Sequence, residues 1–293
     1  MTGYALTHVT NPMSCLRDLD LSSILTLRTT TTVTSYFQRF TTTIHNAPLT
    51  LTLLLLPHPL LASTIIIPST SFSSPTAFNA SWSPNYPWGT DHNGSARMSP
   101  LNIHLSNSTL TLTATPATGQ PPASHGGKSI PIHYLSGAIH AKQHFTVSAG
   151  GGHDFSGEFV APVARGTWPA FWLTYVDGWP PEVDLAEWKG SGKVSFNTFN
   201  TSSQVAAKDV DYPRAGEWHS AKAELRALGN GKDVGVKFWL DGKLVTTQVG
   251  RGYVGKAMYL IINLQMEGSS GSPGPSGDPL YQIRNVEVVS YNP

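Results

Sequence analysis

The sequence predicts an all-β fold, a jelly-roll sandwich of two antiparallel sheets. Short segments that alternate apolar and polar residues recur along the chain, with turn residues between them. The 293 residues include 27 Gly and 22 Pro, and charged residues make up only 13%, against roughly 25% in an average soluble protein. This composition, without any long segment of helical period, favours strands and turns over exposed helices.

Two segments predict β-hairpins. Residues 101–113 (LNIHLSNSTLTLT) alternate apolar and polar side chains around a turn at Ser106-Asn107. Residues 234–245 (VGVKFWLDGKLV) form two alternating runs joined by Asp241-Gly242. An Asp-Gly pair between such runs is a strong signal for a tight hairpin turn, because both turn residues must adopt positive φ. Each segment is therefore expected to supply two neighbouring antiparallel strands.

Two later segments predict long strands near the C-terminus. Residues 258–264 (MYLIINL) are almost continuously apolar, as in a strand buried on both faces, and residues 282–291 alternate again. The strand pattern is uniform over residues 65–293, which are expected to form a single domain. Residues 1–64 do not share it and are expected to be a presequence that is disordered or removed.

Within the presequence, residues 48–63 read PLTLTLLLLPHPLLAS. The run is too short to span a bilayer, which takes about 20 apolar residues. Residues 49–62 are typical of the apolar core of a secretory signal, with a small-residue exit at Ala62-Ser63. Such signals begin near the initiator methionine, so two interpretations stay open. Either the start lies upstream of the true one, or the segment belongs to a genuine, unusual N-terminus.

Other features agree with a secreted protein. With 19 Lys and Arg against 18 Asp and Glu, the chain has no basic excess that would favour nucleic acid or an anionic membrane as a partner. Four N-x-[ST] triplets predict N-glycosylation, although Asn- and Ser-rich chains also produce such triplets by chance. The predicted acceptors are Asn79, Asn93, Asn107 and Asn200.

The densest cluster of charge lies in residues 179–189, WPPEVDLAEWK. Three carboxylates, Glu182, Asp184 and Glu187, fall within six residues. The segment is compatible with the first turn of a helix, where prolines and acids are both favoured. It is also compatible with a calcium site, since clustered carboxylates bind hard cations.

As a strand, the same segment has a sharper interpretation. Alternation places Glu182 and Asp184 on one face, and it sends Glu187 to the other. A β-bulge at Leu185-Ala186 would insert one residue and bring Glu187 back to the acidic face. Two carboxylates about 5–5.5 Å apart are the requirement for retaining glycoside hydrolysis. Asp184, between them, would help to separate their pKa values.

Tryptophans near the cluster supply flat apolar surfaces on which sugar rings stack. We expect four of them to bind substrate: Trp168, Trp172, Trp179 and Trp188.

The stretch GTWPAFWL (residues 166–173) followed by EVDLAE (residues 182–187) resembles glycoside hydrolase family 16, the laminarinases and β-glucanases. The resemblance covers most of residues 130–293 and weakens back to about residue 70. It implies a concanavalin-like jelly roll with a concave substrate cleft. It also implies the roles of nucleophile for Glu182, assisting acid for Asp184 and acid/base for Glu187.

Two further residues are expected at the cleft. Bacterial-type members of the family usually carry a histidine on the strand after the motif, where this chain has Asn197 or Thr198. Asn197 is therefore predicted to contact substrate. His219 is predicted as a cleft residue, with a hydrogen-bonded core histidine as the alternative.

The resemblance implies a secreted, monomeric endo-β-glucanase that cleaves β-1,3- or mixed β-1,3/1,4-glucan by double displacement. No cofactor or metal site is predicted, although a structural calcium ion is compatible with the composition. One alternative is a non-catalytic glycan-binding jelly roll. Another is a polysaccharide lyase, which needs cationic or amide groups beside a uronate. The acidic cluster would repel a uronate and disfavours the lyase.

Overall fold

The computed structural model describes residues 63–293, and every structural statement below concerns that part of the chain. The signal-like segment 49–62 and the rest of the presequence up to residue 62 lie outside the described residues, so their assignment stays a prediction. Within the described part, no helix is long and apolar enough to cross a membrane.

Strands make up most of the described chain. In chain order they are β1 (Thr64–Ile67), β2 (Trp82–Pro84), β3 (Ala96–Met98), β4 (Ile103–Ser106), β5 (Thr109–Thr113), β6 (Thr115–Pro116), β7 (Ala123–His125), β8 (Lys128–Ile130), β9 (Tyr134–Ser136), β10 (Ala138–Ala141), β11 (Phe145–Thr146), β12 (Gly152–Val160), β13 (Thr167–Tyr175), β14 (Glu182–Trp188), β15 (Lys193–Thr201), β16 (Gln204–Asp211), β17 (His219–Ala227), β18 (Val234–Leu240), β19 (Lys243–Gly250), β20 (Ala257–Met266) and β21 (Leu280–Ser290). Helical structure is limited to α1 (Pro75–Ser81) and the 3-10 turns Pro100–Asn102 and Gly268–Ser270.

Two large antiparallel sheets form the fold, as predicted. The first sheet has the order β19-β18-β17-β12-β21-β5-β4, with β1 also paired to β21. The second has the order β16-β15-β14-β13-β20-β10-β2, with β11 also paired to β20. Two small sheets, β3-β9-β6 and β7-β8, lie outside the two large ones. Non-consecutive neighbours in both large sheets are typical of a jelly roll.

The hydrophobic core consists of side chains buried on strands of both large sheets. In β13, Phe171 and Leu173 are fully buried in this core, whereas the alternate residue Trp172 faces the other way, into a cleft. Phe155 of the first sheet and Phe196 of the second are likewise fully buried. Each such side chain contributes about 1.5–3 kcal/mol on burial. The alternation of β13 therefore fixes which of its side chains are left to line a cleft.

The predicted hairpins are present. Asp241-Gly242 joins β18 to β19, and both residues have positive φ, at 49° and 73°. The turn between β4 and β5 lies at Asn107-Ser108, one residue later than predicted, because Ser106 pairs with Thr109 in the ladder. The apolar run in residues 258–264 lies within β20, which pairs with β13 and β10 in the second sheet.

The prediction that Trp188 binds substrate is wrong. Its side chain is 1% exposed and packs in the core against Phe159, Tyr212 and Tyr281, with ring centroids 5.4–5.9 Å away. The physical reason is parity: Glu187 faces the cleft, so its neighbour Trp188 must face the core.

Replacing Trp188 by Ala is expected to lower the free energy of unfolding by about 3–5 kcal/mol, because it leaves a large cavity. Urea unfolding followed by intrinsic fluorescence measures this loss. As the matched control, Trp179→Ala, which removes a side chain that is 50% exposed, should cost about 0.5–1 kcal/mol or less. Equal, small losses in both variants would contradict the core position of Trp188.

Candidate active site

A β-bulge in β14 organises the site. On one side, β13 pairs Phe171 with Ala186 and Trp172 with Asp184, which leaves Leu185 without a partner. The ladder between β14 and β15 shifts over the same stretch. Both Leu185 and Ala186 are fully buried in the core. The acidic segment is thus a bulged strand and not the start of a helix.

The bulge brings the three predicted acids onto the same face of the second sheet. Glu182, Asp184 and Glu187 all line a cleft of about 680 Å³. Nowhere in residues 63–293 is a group of three or more His, Cys, Asp and Glu side chains arranged to hold a metal ion. The bulge and the shared face support the strand interpretation of the cluster.

The Glu187 carboxylate is held by three donors. Its Oε1 accepts a 2.6 Å hydrogen bond from the indole N–H of Trp168. Its Oε2 accepts from Lys189 Nζ at 2.8 Å and from Asn197 Nδ2 at 3.1 Å. Hydrogen bonds and an adjacent cation stabilise the charged form of a carboxylate. Sequence reasoning missed Lys189, although it lies two residues after Glu187 and alternation places both on the same face.

Asp184 is the most deeply buried acid of the three, at 5% exposure. Burial, followed by the negative charges of Glu187 and Glu182, raises its pKa well above the ordinary value. Its Oδ2 accepts a 2.8 Å hydrogen bond from Asn197 Nδ2. These surroundings therefore favour the protonated form of Asp184.

Asn197 supports the acids and does not line the cleft. Its side chain is 3% exposed, and its amide nitrogen donates to both Asp184 and Glu187. The prediction of direct contact with substrate is therefore wrong. Asn197 lies opposite Asp184 in the ladder between β14 and β15, which explains why it reaches two carboxylates.

Glu182 lies at the start of β14. Burial, and next the charge of Glu187, raise its pKa to about 8. The indole N–H of Trp179 donates to its Oε2 at 3.1 Å and opposes this shift. The Tyr253 hydroxyl contacts the backbone N–H and carbonyl of Glu182, at 3.2 and 3.1 Å, and fixes the strand at this point.

Three of the four predicted tryptophans line the cleft: Trp168, Trp172 and Trp179. Trp172 donates a 2.7 Å hydrogen bond to Asn263 Oδ1 on β20, which orients its ring. Two of these side chains also contact the acids, as described above, so the tryptophans both shape the cleft and position its carboxylates.

His219 lies away from the cleft, on β17 of the first sheet. It is 4% exposed, its Nδ1 lies 2.8 Å from Asp241 Oδ2, and its ring packs 4.5 Å from that of Tyr212. The prediction of a cleft residue is wrong, and the alternative of a hydrogen-bonded core histidine is correct.

One wall of the cleft consists of aromatic rings whose mutual contacts were not predicted from the sequence. Trp88 stacks on Tyr86 with centroids 5.2 Å apart, and His92 stacks on Trp172 at 5.7 Å. Burial, then the neighbouring His125, lowers the pKa of His92 to about 4. His92 is therefore neutral near pH 7 and presents an uncharged imidazole to the cleft. These residues lie 47 or more positions before Trp172, so no local pattern signals their contact.

The predicted glycosylation acceptors differ in their surroundings. Asn79 on α1 and Asn107 in a turn are exposed. Asn93 is half-buried and lines the cleft. The Asn200 side chain is engaged with the backbone, since its Nδ2 donates to the Val249 carbonyl at 3.1 Å. Glycosylation stays a prediction, and the surroundings favour Asn79 and Asn107.

A two-sheet antiparallel fold whose cleft holds clustered carboxylates between tryptophans is typical of a glycoside hydrolase. The chain is 57% identical over 232 residues to a galactan endo-β-1,3-galactanase of Flammulina velutipes, covering 79% of this chain and 92% of that protein. The chain belongs to glycoside hydrolase family 16 and is an endo-acting glycosidase.

Solved structures show the same fold. An endo-1,3-β-glucanase from Streptomyces sioyaensis superposes with a TM-score of 0.59 at 20% identity, over 73% of this chain and 91% of that one. A non-specific endo-β-1,3(4)-glucanase from family GH16 superposes with a TM-score of 0.58 at 16% identity, over 78% of this chain and 91% of that one. No family profile matches the chain.

The raised pKa of Glu182 predicts a pH-dependent cost to stability. Because its folded-state pKa of about 8 exceeds an unfolded value of about 4.3, the folded protein binds this proton more tightly. The resulting stabilisation is complete below the unfolded pKa and is lost as pH rises through about 8. Glu182→Gln, which stays neutral, should therefore gain Tm relative to wild type as pH rises.

Thermal unfolding at pH 5 and pH 8.5 tests this. The Tm difference between Glu182→Gln and wild type should grow by at least about 2 °C between the two pH values, the shift for ~1 kcal/mol in a domain of this size. Glu217→Gln, at an exposed surface acid, is the matched control and should show a constant difference. A constant difference for Glu182→Gln as well would contradict the burial of its charge.

Proposed function

We propose that this endo-glycosidase cleaves internal β-1,3 bonds of galactan by double displacement, with retention of configuration. The observation that carries the substrate is the 57% identity to a galactan endo-β-1,3-galactanase, which is matched over 92% of its length. The bulge supports the mechanism, because it brings Glu182 and Glu187 to one face of the cleft with Asp184 between them.

β-1,3-Glucan, alone or with β-1,4 bonds, is the second candidate substrate. The solved structures named as β-glucanases support it, at 16–20% identity. Galactose differs from glucose by an axial hydroxyl at C4, and both sugars present C–H groups on one ring face. Tryptophan faces such as those of Trp168, Trp172 and Trp179 can stack on either sugar. The higher identity to the galactanase therefore favours galactan.

In the proposed first step, a Glu182 carboxylate oxygen attacks C1 of the sugar while the C1–O bond to the leaving chain breaks. The Glu187 carboxyl gives its proton to the departing oxygen. In the second step, water attacks C1 of the glycosyl-enzyme, Glu187 takes the proton from that water, and Glu182 leaves. Two inversions at C1 give net retention, and both acids return to their starting states.

The attack requires Glu182 in its ionised form, although burial and the charge of Glu187 favour its protonated form. Two features of the surroundings favour ionisation of Glu182. The raised pKa of Asp184 favours its neutral form, which limits the repulsion between the three neighbouring carboxyl groups. The Trp179 indole donates to Glu182 and stabilises its charged form. Glu187 receives Trp168, Lys189 and Asn197 as donors, which orient its oxygens.

Side-chain acid/base and nucleophilic chemistry needs no cofactor, and we propose that the enzyme uses none. We further propose that it acts outside the cell as a monomer. The signal-like segment 49–62 and the exposed acceptors Asn79 and Asn107 support secretion. N-terminal sequencing of the secreted protein tests this, since a mature chain that begins well before residue 49 would contradict a cleaved signal.

Removing either catalytic carboxylate should abolish turnover on polysaccharide while the fold persists. Glu182→Ala and Glu187→Ala are each expected to lose about 10³-fold or more in kcat on galactan. Azide distinguishes their roles, because it can enter the space left by either side chain. Glu182→Ala should form the α-galactosyl azide and Glu187→Ala the β-galactosyl azide, as read by NMR. The reverse assignment of the two azides would contradict the proposed roles.

A panel of polysaccharides tests the substrate. The ratio kcat/KM should be roughly 10²-fold or more higher for β-1,3-galactan than for laminarin or lichenan, because polar contacts to a single hydroxyl can discriminate this strongly. Reducing-end assays and product sizing provide the measurement. Higher activity on the glucans would favour the second candidate. Binding without release of reducing ends would favour a glycan-binding module, and products that absorb in the ultraviolet would favour a lyase.

A further inference from the structure

We propose that Lys189 is a positioning residue that holds the Glu187 carboxyl group for proton transfer and that its positive charge sets the basic limit of activity. This inference rests on the proposed role of Glu187 as acid/base. It concerns a side chain that contacts the reacting carboxyl group.

The contact is direct and partly buried. Lys189 Nζ lies 2.8 Å from Glu187 Oε2, with the lysine side chain 33% exposed and the glutamate side chain 10% exposed. Lys189 itself lines the cleft. An ion pair with one partner nearly buried is screened less by water and salt than a surface pair.

The backbone directly after Lys189 is closely packed. Gly190 has φ of +64°, and a Cβ at this position would lie 2.8 Å from Arg165 Cα and 2.9 Å from the Ala164 carbonyl oxygen. The chain therefore passes close to a neighbouring loop directly after Lys189. This close approach fixes where the lysine leaves β14.

The charges around the pair come from two strands. On β14, Glu182 and Asp184 face the same cleft as Glu187. On β16, Asp209 accepts a 2.7 Å hydrogen bond from Ser195 Oγ and acts electrostatically on Lys189.

The other two hydrogen-bond donors to Glu187 are neutral. β13 contributes the indole of Trp168, and β15 contributes the amide of Asn197. Lys189 thus places a positive charge among carboxylates on β14 and β16. Burial alone would lower its pKa, but the charge of Glu187, its hydrogen bond and the charges of Asp184 and Asp209 raise it, so the ammonium stays charged.

A cation in contact with the acid/base has opposite effects on the two steps. It opposes protonation of Glu187, which the first step requires, and favours the ionised form, which accepts the proton of water in the second step. Without Lys189 this opposition is removed, and the first step is expected to remain active further into the basic range.

The experiment compares pH profiles of kcat/KM on β-1,3-galacto-oligosaccharides for wild type and Lys189→Met. The basic limb should move up by about 1 unit, the low end for a charge at this distance because the lysine is partly exposed. The acidic limb should move less, since Lys189 contacts Glu187 directly. Lys189→Gln is a second neutral variant, and it should show the same shift.

Two controls separate charge from packing. Lys189→Arg keeps the cation and should retain the wild-type basic limb. Lys256→Met removes a cation that lies over the Tyr175 ring, 4.6 Å from its centroid, without contact to the acids, and its profile should match wild type. An unmoved basic limb in both Lys189→Met and Lys189→Gln, with Tm changed or not, would overturn the inference.

An aryl β-1,3-galactobioside with a dinitrophenolate leaving group distinguishes the inference from its premise. This leaving group departs without a proton, so the shift caused by Lys189→Met should disappear in kcat/KM. Glu187→Gln should keep most of its activity in kcat/KM on this substrate and lose it on galacto-oligosaccharides. Equal losses of Glu187→Gln on both substrates would contradict the acid/base role itself. A Glu187→Gln result as expected, with no Lys189 shift on either substrate, would contradict only the role of Lys189.

Discussion

The site depends on one inserted residue in β14. Without Leu185 as an unpaired residue, regular alternation would turn Glu187 into the core and Trp188 into the cleft. The composition of the core favours the bulged register. In that register Leu185, Ala186 and Trp188 are buried, whereas a regular strand would bury the Glu187 carboxylate in the core at the cost of its desolvation. The same apolar packing that stabilises the second sheet therefore directs three acids into one cleft.

The second constraint is electrostatic. Three carboxyl groups share a partly buried face, and burial and mutual repulsion raise the pKa values of Glu182 and Asp184. Hydrogen bonds and one positive charge offset part of this repulsion. They come from Trp168, Trp179, Lys189 and Asn197. Such a cluster is unfavourable for stability and is retained where reactivity needs it. The pKa values of Glu182 and Asp184 thus depend on the charges of the neighbouring acids as well as on burial.

Much of this could be predicted from the sequence because its signals are local. Alternation and the Asp241-Gly242 pair predicted the strands and a hairpin, and parity within β14 predicted the bulge. The same parity, carried two residues further, would have placed Trp188 in the core and Lys189 beside Glu187. His219 could not be assigned, because a lone histidine in a strand carries no local signal of its partner Asp241.

The aromatic wall of the cleft could not be predicted from the sequence. Trp88, His92 and His125 reach Trp172 only through the folding of distant loops, which no periodicity records. Asn197 was recognised as important, but its role changed once the ladder between β14 and β15 was visible, because its amide bridges two acids. Long-range contacts of this kind depend on strand order, which alternation leaves open.

The central claim is that Glu182 forms a covalent bond to the sugar. A 2-deoxy-2-fluoro-galactobiosyl fluoride slows release of the intermediate, so the enzyme accumulates in its glycosyl form. Peptide mapping by mass spectrometry then locates the label. One labelled peptide is expected, containing the segment WPPEVDLAEWK, with the sugar on Glu182. A label on Glu187 or Asp184, or complete turnover with inverted configuration and no labelled peptide, would contradict it.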